Sequence, residues 1–178
     1  MESLLADFPP AESGIRWLDV GAKNWAYVPA LYEFLRQGGR EQFRLDGVEV
    51  DPYRRYTDFR SRADYARAFT RHYPRAHYHG MDVLGWSGDF NQPEPGFYHL
   101  ISHFLPFVLS DPCMAWGLPR RFFQPEKLLK HLYRLLLPGG TLLIVNQGEV
   151  ERDAQARLLK GMAEKEGLLV EWEGGIED

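Results

Sequence analysis

Ile15-Arg16-Trp17-Leu18-Asp19-Val20-Gly21-Ala22-Lys23-Asn24-Trp25 decides how this chain is read. The apolar run from Ile15 predicts a short strand that ends in an acid and is cut by Gly21. Apolar residues at Val28, Leu31, Tyr32 and Leu35 then predict a helix, with Pro29 tolerated in its first turn and Gly38-Gly39 stopping it. A strand followed at once by an amphipathic helix is the start of a βα unit, and the same alternation recurs along the chain.

Phe43 to Val50 is the second expected strand, closed by Asp51-Pro52. Ser61 and Asp64 have capping-box spacing, and Tyr65, Ala68, Phe69 and His72 follow at helical spacing up to Pro74. Further strands are expected at His77 to Met81, Tyr98 to Ser102 and Thr141 to Asn146, with a loop at 91–96 before the second of these. A helix over Glu126 to Leu137 ends at the breaker Pro138-Gly139-Gly140. A last helix, Glu151 to Lys165, leads through Gly167 into a sixth strand at 168–172. The pattern predicts an α/β fold with a mostly parallel sheet.

The 178 residues suit one domain, 1–178. A hydrophobic fraction of 44% excludes long disorder, and the mean hydropathy of −0.40 is that of a soluble globule. The net charge of −4 argues against bulk electrostatic binding of nucleic acid. Cys113 is the only cysteine, so neither an internal disulfide nor a multi-cysteine zinc site can form. No apolar run approaches the ~20 residues of a membrane span, and Met1 to Pro10 lacks a basic leader, so a cytoplasmic protein is expected.

Ligands of an open α/β sheet bind beyond the carboxyl ends of its strands. Those ends are Asp19 to Trp25, Glu49 to Pro52, Asp82 to Leu84, Ser102 to Phe107 and Asn146-Gln147. Acids occupy three of the five. An acid after a second strand can accept from two ribose hydroxyls, and one after a third strand from an exocyclic amine. Each acid alone is as readily a cap for the next turn. Three at consecutive strand ends are harder to attribute to capping.

On these residues the chain resembles the class I S-adenosylmethionine-dependent methyltransferases, over about Ile15 to Trp172. Leu18-Asp19-Val20-Gly21 is similar to the start of that family's motif I, and Gly47-Val48-Glu49-Val50-Asp51-Pro52 to its post-I motif. Gly80-Met81-Asp82-Val83-Leu84 fits the third-strand motif, and Leu135 to Leu143, with Pro138-Gly139-Gly140, the lead-in to strand five. The resemblance implies a three-layer Rossmann-like sandwich of strand order 3-2-1-4-5 plus strand 6, with S-adenosylmethionine as cofactor. It implies Glu49 at the ribose, Asp82 at the adenine amine and the Val83 backbone at the ring. Asp19, Gly21, Ala22, Lys23, Trp25 and Ser102 complete the expected cofactor set.

Two departures stand out. The family's G-x-G-x-G is here Gly21-Ala22-Lys23-Asn24-Trp25, with only the first glycine kept. Lys23 then either pairs with the cofactor's carboxylate or points to solvent. Trp25 either covers the sulfonium, since aromatic faces attract cations, or packs into the first helix. The chain also stops directly after its sixth strand candidate, so either the seventh strand lies outside this sequence or the sheet edge is left open. An open sheet edge would favour a homodimer.

Amine-methylating relatives carry [DNS]-P-P-[FYW] after strand four, whereas this chain has Ser102-His103-Phe104-Leu105-Pro106-Phe107. Phe104 cannot grip an amine, which argues against adenine-N6 or glutamine-amide methylation. His103 is the candidate general base, with a packed, hydrogen-bonded histidine as the alternative. His77 and His79 share a strand face without a third ligand, so no metal site is expected. Cys113 has no identifiable histidine partner and is not expected to act as a nucleophile. Ser110 to Gln124, with Met114, Trp116, Phe122 and Phe123, is long enough to wall an acceptor site or to form a satellite core.

Tyr53 to Arg75 holds seven arginines among six aromatic residues, a composition that can grip nucleic acid. Helical spacing favours Arg62, Arg67 and Arg71 as a solvated face, so nucleic acid is not the favoured partner. The expected activity is methyl transfer to a small-molecule acceptor. The alternative is a non-catalytic protein of the same fold that serves in binding or assembly. Without G-x-G-x-x-G, a nicotinamide-dinucleotide enzyme is excluded.

Overall fold

The computed structural model describes residues 14–37, 42–86 and 96–167. Strand β1 is Ile15–Val20, helix α1 Val28–Gln37, β2 Phe43–Val48, α2 Arg62–Thr70 and β3 Ala76–His79. There follow β4 Tyr98–Phe104, α3 Ser110–Ala115, α4 Pro125–Leu135, β5 Leu136–Val145 and α5 Glu149–Glu166. The strands form one sheet of order β3-β2-β1-β4-β5, and every pairing is parallel. The parallel α/β sheet is that expected from the alternation, and its Rossmann-like strand order is that implied by the resemblance. The sixth strand candidate and most of the loop before β4 lie outside the described residues.

Alternation along β1 builds two cores. Trp17 packs with Val28 and Leu35 of α1, Phe43, Leu45 and Ala66 of α2 on one face. Leu18 and Val20 pack with Val48, Trp86, Ile101 and α4's Leu132 and Leu135 on the other. Successive strand residues point to opposite faces, so each strand contributes to both layers. Helix starts follow local chemistry. Both hydrogen bonds of the Ser61–Asp64 capping box are present, and Pro125 opens α4, where its missing N–H costs nothing.

Several boundaries differ from expectation. β2 stops at Val48, two residues early, and β4 continues to Phe104. Pro138-Gly139-Gly140 does not separate helix from strand; it lies inside β5 as an irregularity between the pairings Tyr98–Leu136 and Leu100–Thr141. Gly139 there has φ +77°, and a Cβ on Gly140 would stand 2.9 Å from the Leu137 carbonyl oxygen. Glycine lets the strand bulge where a side chain would collide. The arginine-rich helix keeps Arg67 and Arg71 exposed and Phe69 against the core, as expected, but departs from expectation at three other positions. Arg62 is buried, whereas Ala68 and His72 are exposed. Among the described residues no helix is long and apolar enough to cross a membrane.

Candidate functional site

A cavity opens beyond the carboxyl ends of β1, β2 and β4. Gly21, Lys23, Glu49, Asp82, Val83 and His103 line it, with an apolar wall from Phe104, Phe107, Trp116, Phe122 and Leu128.

The turn after β1 is held against β2, with the N–H groups of Gly21 and Ala22 both donating to the Val48 carbonyl, at 2.9 and 3.2 Å. Its φ angles are +75° at Gly21, +54° at Lys23 and +49° at Trp25. The left-handed backbone that glycine favours is therefore kept at all three alternate positions, although two carry side chains. Nothing lies within 4 Å of where a Gly21 Cβ would stand, so its backbone is open to a ligand.

Four expected cofactor residues do not line this cavity. Trp25 is fully buried, and its indole fills the space beside Gly47, where a Cβ would be 2.7 Å from Trp25 Cε2. Core packing claims the ring. Trp25 Nε1 donates to Asp19 Oδ2 at 2.9 Å, Tyr27 Oη to the same oxygen at 2.5 Å and Ser102 Oγ to Oδ1 at 2.7 Å. Ser102 in turn accepts from Trp17 Nε1 at 2.8 Å. Asp19, Ser102 and Ala22 are all buried, so Asp19 organises the loop from inside. Burial lifts its carboxyl to about 6 against the opposing effect of its three hydrogen bonds. The parallel register sets Asp19 opposite Ser102, a pairing no local spacing reveals.

Glu49 faces the cavity but is already engaged. Its Oε2 accepts from the Lys23 N–H at 2.8 Å, and its Oε1 from the Asp51 N–H at 2.8 Å and from Arg62 Nη1 at 2.9 Å. A carboxylate has about four acceptor positions, so about one remains on Oε2. Sequence reasoning missed Arg62 by placing it on the solvated face. The available signal was its place directly after the N-cap, where the helix turns back toward the end of β2. Asp82 Oδ1 accepts from the Leu84 N–H at 3.0 Å and caps the turn Val83–Gly85. Lys23 Nζ sits 4.7 Å from the Trp116 ring centre, within cation–π reach.

His103 is buried and lines the cavity, and desolvation lowers its pKa to about 4. It is neutral at pH 7. Leu105, after β4, is a further non-glycine residue at positive φ, +55°, and lines the cavity beside Phe107. Cys113 is buried, which raises its thiol pKa and leaves it a poor nucleophile. His79 Nε2 lies 2.8 Å from Asp46 Oδ1, so this histidine serves a buried carboxylate of the sheet.

No protein-family model and no curated protein sequence matches this chain. Solved structures do. The methyltransferase domain of the citrinin polyketide synthase aligns over 90% of this chain and 36% of its own, with TM-score 0.55 and 16% identity. The [4+2]-cyclase SpnF aligns over 90% of this chain and 55% of its own, with TM-score 0.56 and 13% identity. The trans-methyltransferase CalH, in complex with S-adenosylhomocysteine, aligns over 87% and 39%, with TM-score 0.51 and 20% identity. This chain thus spans roughly a third to a half of those proteins' length. Its fold is that of the class I methyltransferases. That fold also carries a cyclase, so the reaction must be argued from the site.

Proposed function

We propose that the protein transfers a methyl group from S-adenosylmethionine to a small-molecule acceptor with a planar or apolar part. The observation that carries this reading is that Gly21, Glu49 and Asp82, from three different strand ends, converge on one cavity that is also lined by the aromatic side chains Phe104, Phe107, Trp116 and Phe122. The residues suit the cofactor: an open glycine backbone, one free acceptor position on Glu49 for a ribose hydroxyl, and Asp82 with Val83 for the adenine. Lys23 offers a cation to the carboxylate. When bound, the cofactor supplies an electrophilic methyl on a sulfonium.

The chain's own residues position the acceptor and exclude water, which is most of what such a transfer needs. Phe104, Phe107 and Trp116 hold its planar part. His103, neutral and desolvated, orients the attacking group and receives its proton. A histidine of pKa about 4 is a weak general base near neutrality, since proton transfer works best when the base's pKa lies near the operating pH, so positioning carries most of the transfer.

Calorimetric titration with S-adenosylmethionine and S-adenosylhomocysteine tests the reading. Micromolar binding that Asp82→Asn weakens is expected, since asparagine keeps the cap but replaces one acceptor oxygen with a donor. No binding at millimolar ligand overturns it. The positive-φ side chains at Lys23 and Trp25 would then favour the second reading, a non-catalytic protein of this fold.

A further inference from the structure

Residues 51–75 carry seven arginines against three aspartates, a net of +4 in a chain of net −4. The segment contains no Leu, Ile, Val, Met or Trp. Its large apolar groups are aromatic rings, and two of them stand in solvent: Tyr53 is 76% and Phe59 80% exposed. These rings sit on a built loop. The Tyr56 N–H donates to the Arg60 carbonyl at 2.9 Å, and the Phe59 N–H to the Tyr56 carbonyl at 3.0 Å. Arg55 and Ser61 form an antiparallel bridge across it. Tyr56 packs edge-on against Tyr65 at 5.3 Å. Phe59 has φ +65°, a backbone that L residues avoid, so its ring is held outward where no core contact rewards it.

We infer that this loop and the face of α2 behind it, centred on Tyr53, Phe59, Arg55, Arg60 and Arg71, bind single-stranded nucleic acid. Exposed rings on a fixed backbone stack on unpaired bases, and arginines track the phosphates between them. Arg55, Arg60 and Arg71 are all exposed. Asp58 accepts from Tyr65 Oη at 2.5 Å and stands 4.0 Å from Arg60, while Asp64 pairs with Arg67 at 3.5 Å and attracts Arg55 at longer range; among the described residues no ion pair joins Arg55 or Arg71. Arg71 Nε donates to His72 Nε2 at 2.7 Å. A lipid surface is the poorer match, because the segment lacks the aliphatic and indole side chains that insert into acyl chains. Arg54 lines the cavity, so the surface begins at the cavity's rim. The inference stands apart from the reading of the cavity: the strand binds whether or not a cofactor does.

Fluorescence anisotropy with a labelled oligouridylate of about twelve nucleotides tests this on the full chain. Wild-type protein is expected to bind at about 50 mM salt and to lose affinity as salt rises, with a slope near −0.7 per phosphate contacted. Tyr53→Ala with Phe59→Ala weakens binding about tenfold or more. Arg55→Glu with Arg71→Glu flattens the salt slope. All four positions are exposed, and circular dichroism of both variants is expected to match wild type. Absence of binding at low salt, equal binding of the double-alanine variant, or equal binding of a duplex overturns the proposal. So does retention on phosphatidylserine vesicles with none on the oligonucleotide.

Discussion

Arg62 Nη1 lies 2.9 Å from Glu49 Oε1, and both side chains are more than nine-tenths buried. A buried ion pair gains little over well-packed apolar groups, but removing one partner leaves a charge stranded out of water. Glu49→Ala is therefore expected to cost about 3–5 kcal/mol, more than an exposed carboxylate would. Urea unfolding checks this, and Glu49→Leu with Arg62→Met is expected to recover most of the loss. Additive losses in the double variant would show that the pair is not coupled.

Gly47 and Trp25 interlock, since a Cβ on residue 47 would stand 2.7–2.9 Å from three indole carbons. Real Cβ atoms do not come that close, so Gly47→Ala must displace the ring. The expected cost is about 1–3 kcal/mol, the usual penalty of overpacking. A change in tryptophan emission should accompany it. An unchanged melting temperature and spectrum would mean that the loop yields without strain.

Lys23 holds a φ of +54°, so the shape of its replacement matters more than its charge. Lys23→Gly and Lys23→Val both delete the contact with Trp116, and their difference isolates the backbone. The β-branched variant is expected to be about 1–2 kcal/mol less stable than the glycine variant. Thermal melts of the two proteins measure that difference. Equal stabilities would place no strain at this turn.

His103 and Asp19 make opposite contributions to stability in acid. His103 falls from 6.5 to about 4 on folding, so its contribution is intact above pH 6.5 and is lost as pH falls toward 4, by about 3 kcal/mol. Asp19 rises from 3.8 to about 6, so its contribution is full below pH 3.8 and is lost as pH rises through 6, again by about 3 kcal/mol. Between pH 4 and 6 the two nearly cancel. His103→Asn removes one arm. Relative to wild type, that variant should gain stability steadily from pH 6.5 down to 4 in parallel denaturant titrations. A constant difference across that range would mean that His103 is not buried neutral.

The fold was legible because it rests on local period and punctuation. Ile15 to Val20 was read to the residue, since an apolar run cut by a glycine has few alternatives. The Ser61–Asp64 cap was legible for the same reason, as both partners lie within one turn. The Pro138-Gly139-Gly140 run was misjudged, because a breaker and a bulge use the same residues. Only the pairing of β5 with β4 distinguishes them.

The pattern of residues along the chain determined that acids would stand at the ends of β1, β2 and β3, because strand boundaries are set by neighbours in sequence. Which acid reaches a ligand was decided by the register between strands. Asp19 and Ser102 meet across β1 and β4, and Trp25 and Tyr27 then close on the same carboxylate, so Asp19 turns inward. Glu49 and Asp82 stand past the ends of β2 and β3 and face the cavity. Arg62 is 13 residues from Glu49 in sequence, and only the folding of α2 back onto the end of β2 brings its charge beside it. Burial and ion pairing depend on distances between segments, which local spacing does not carry.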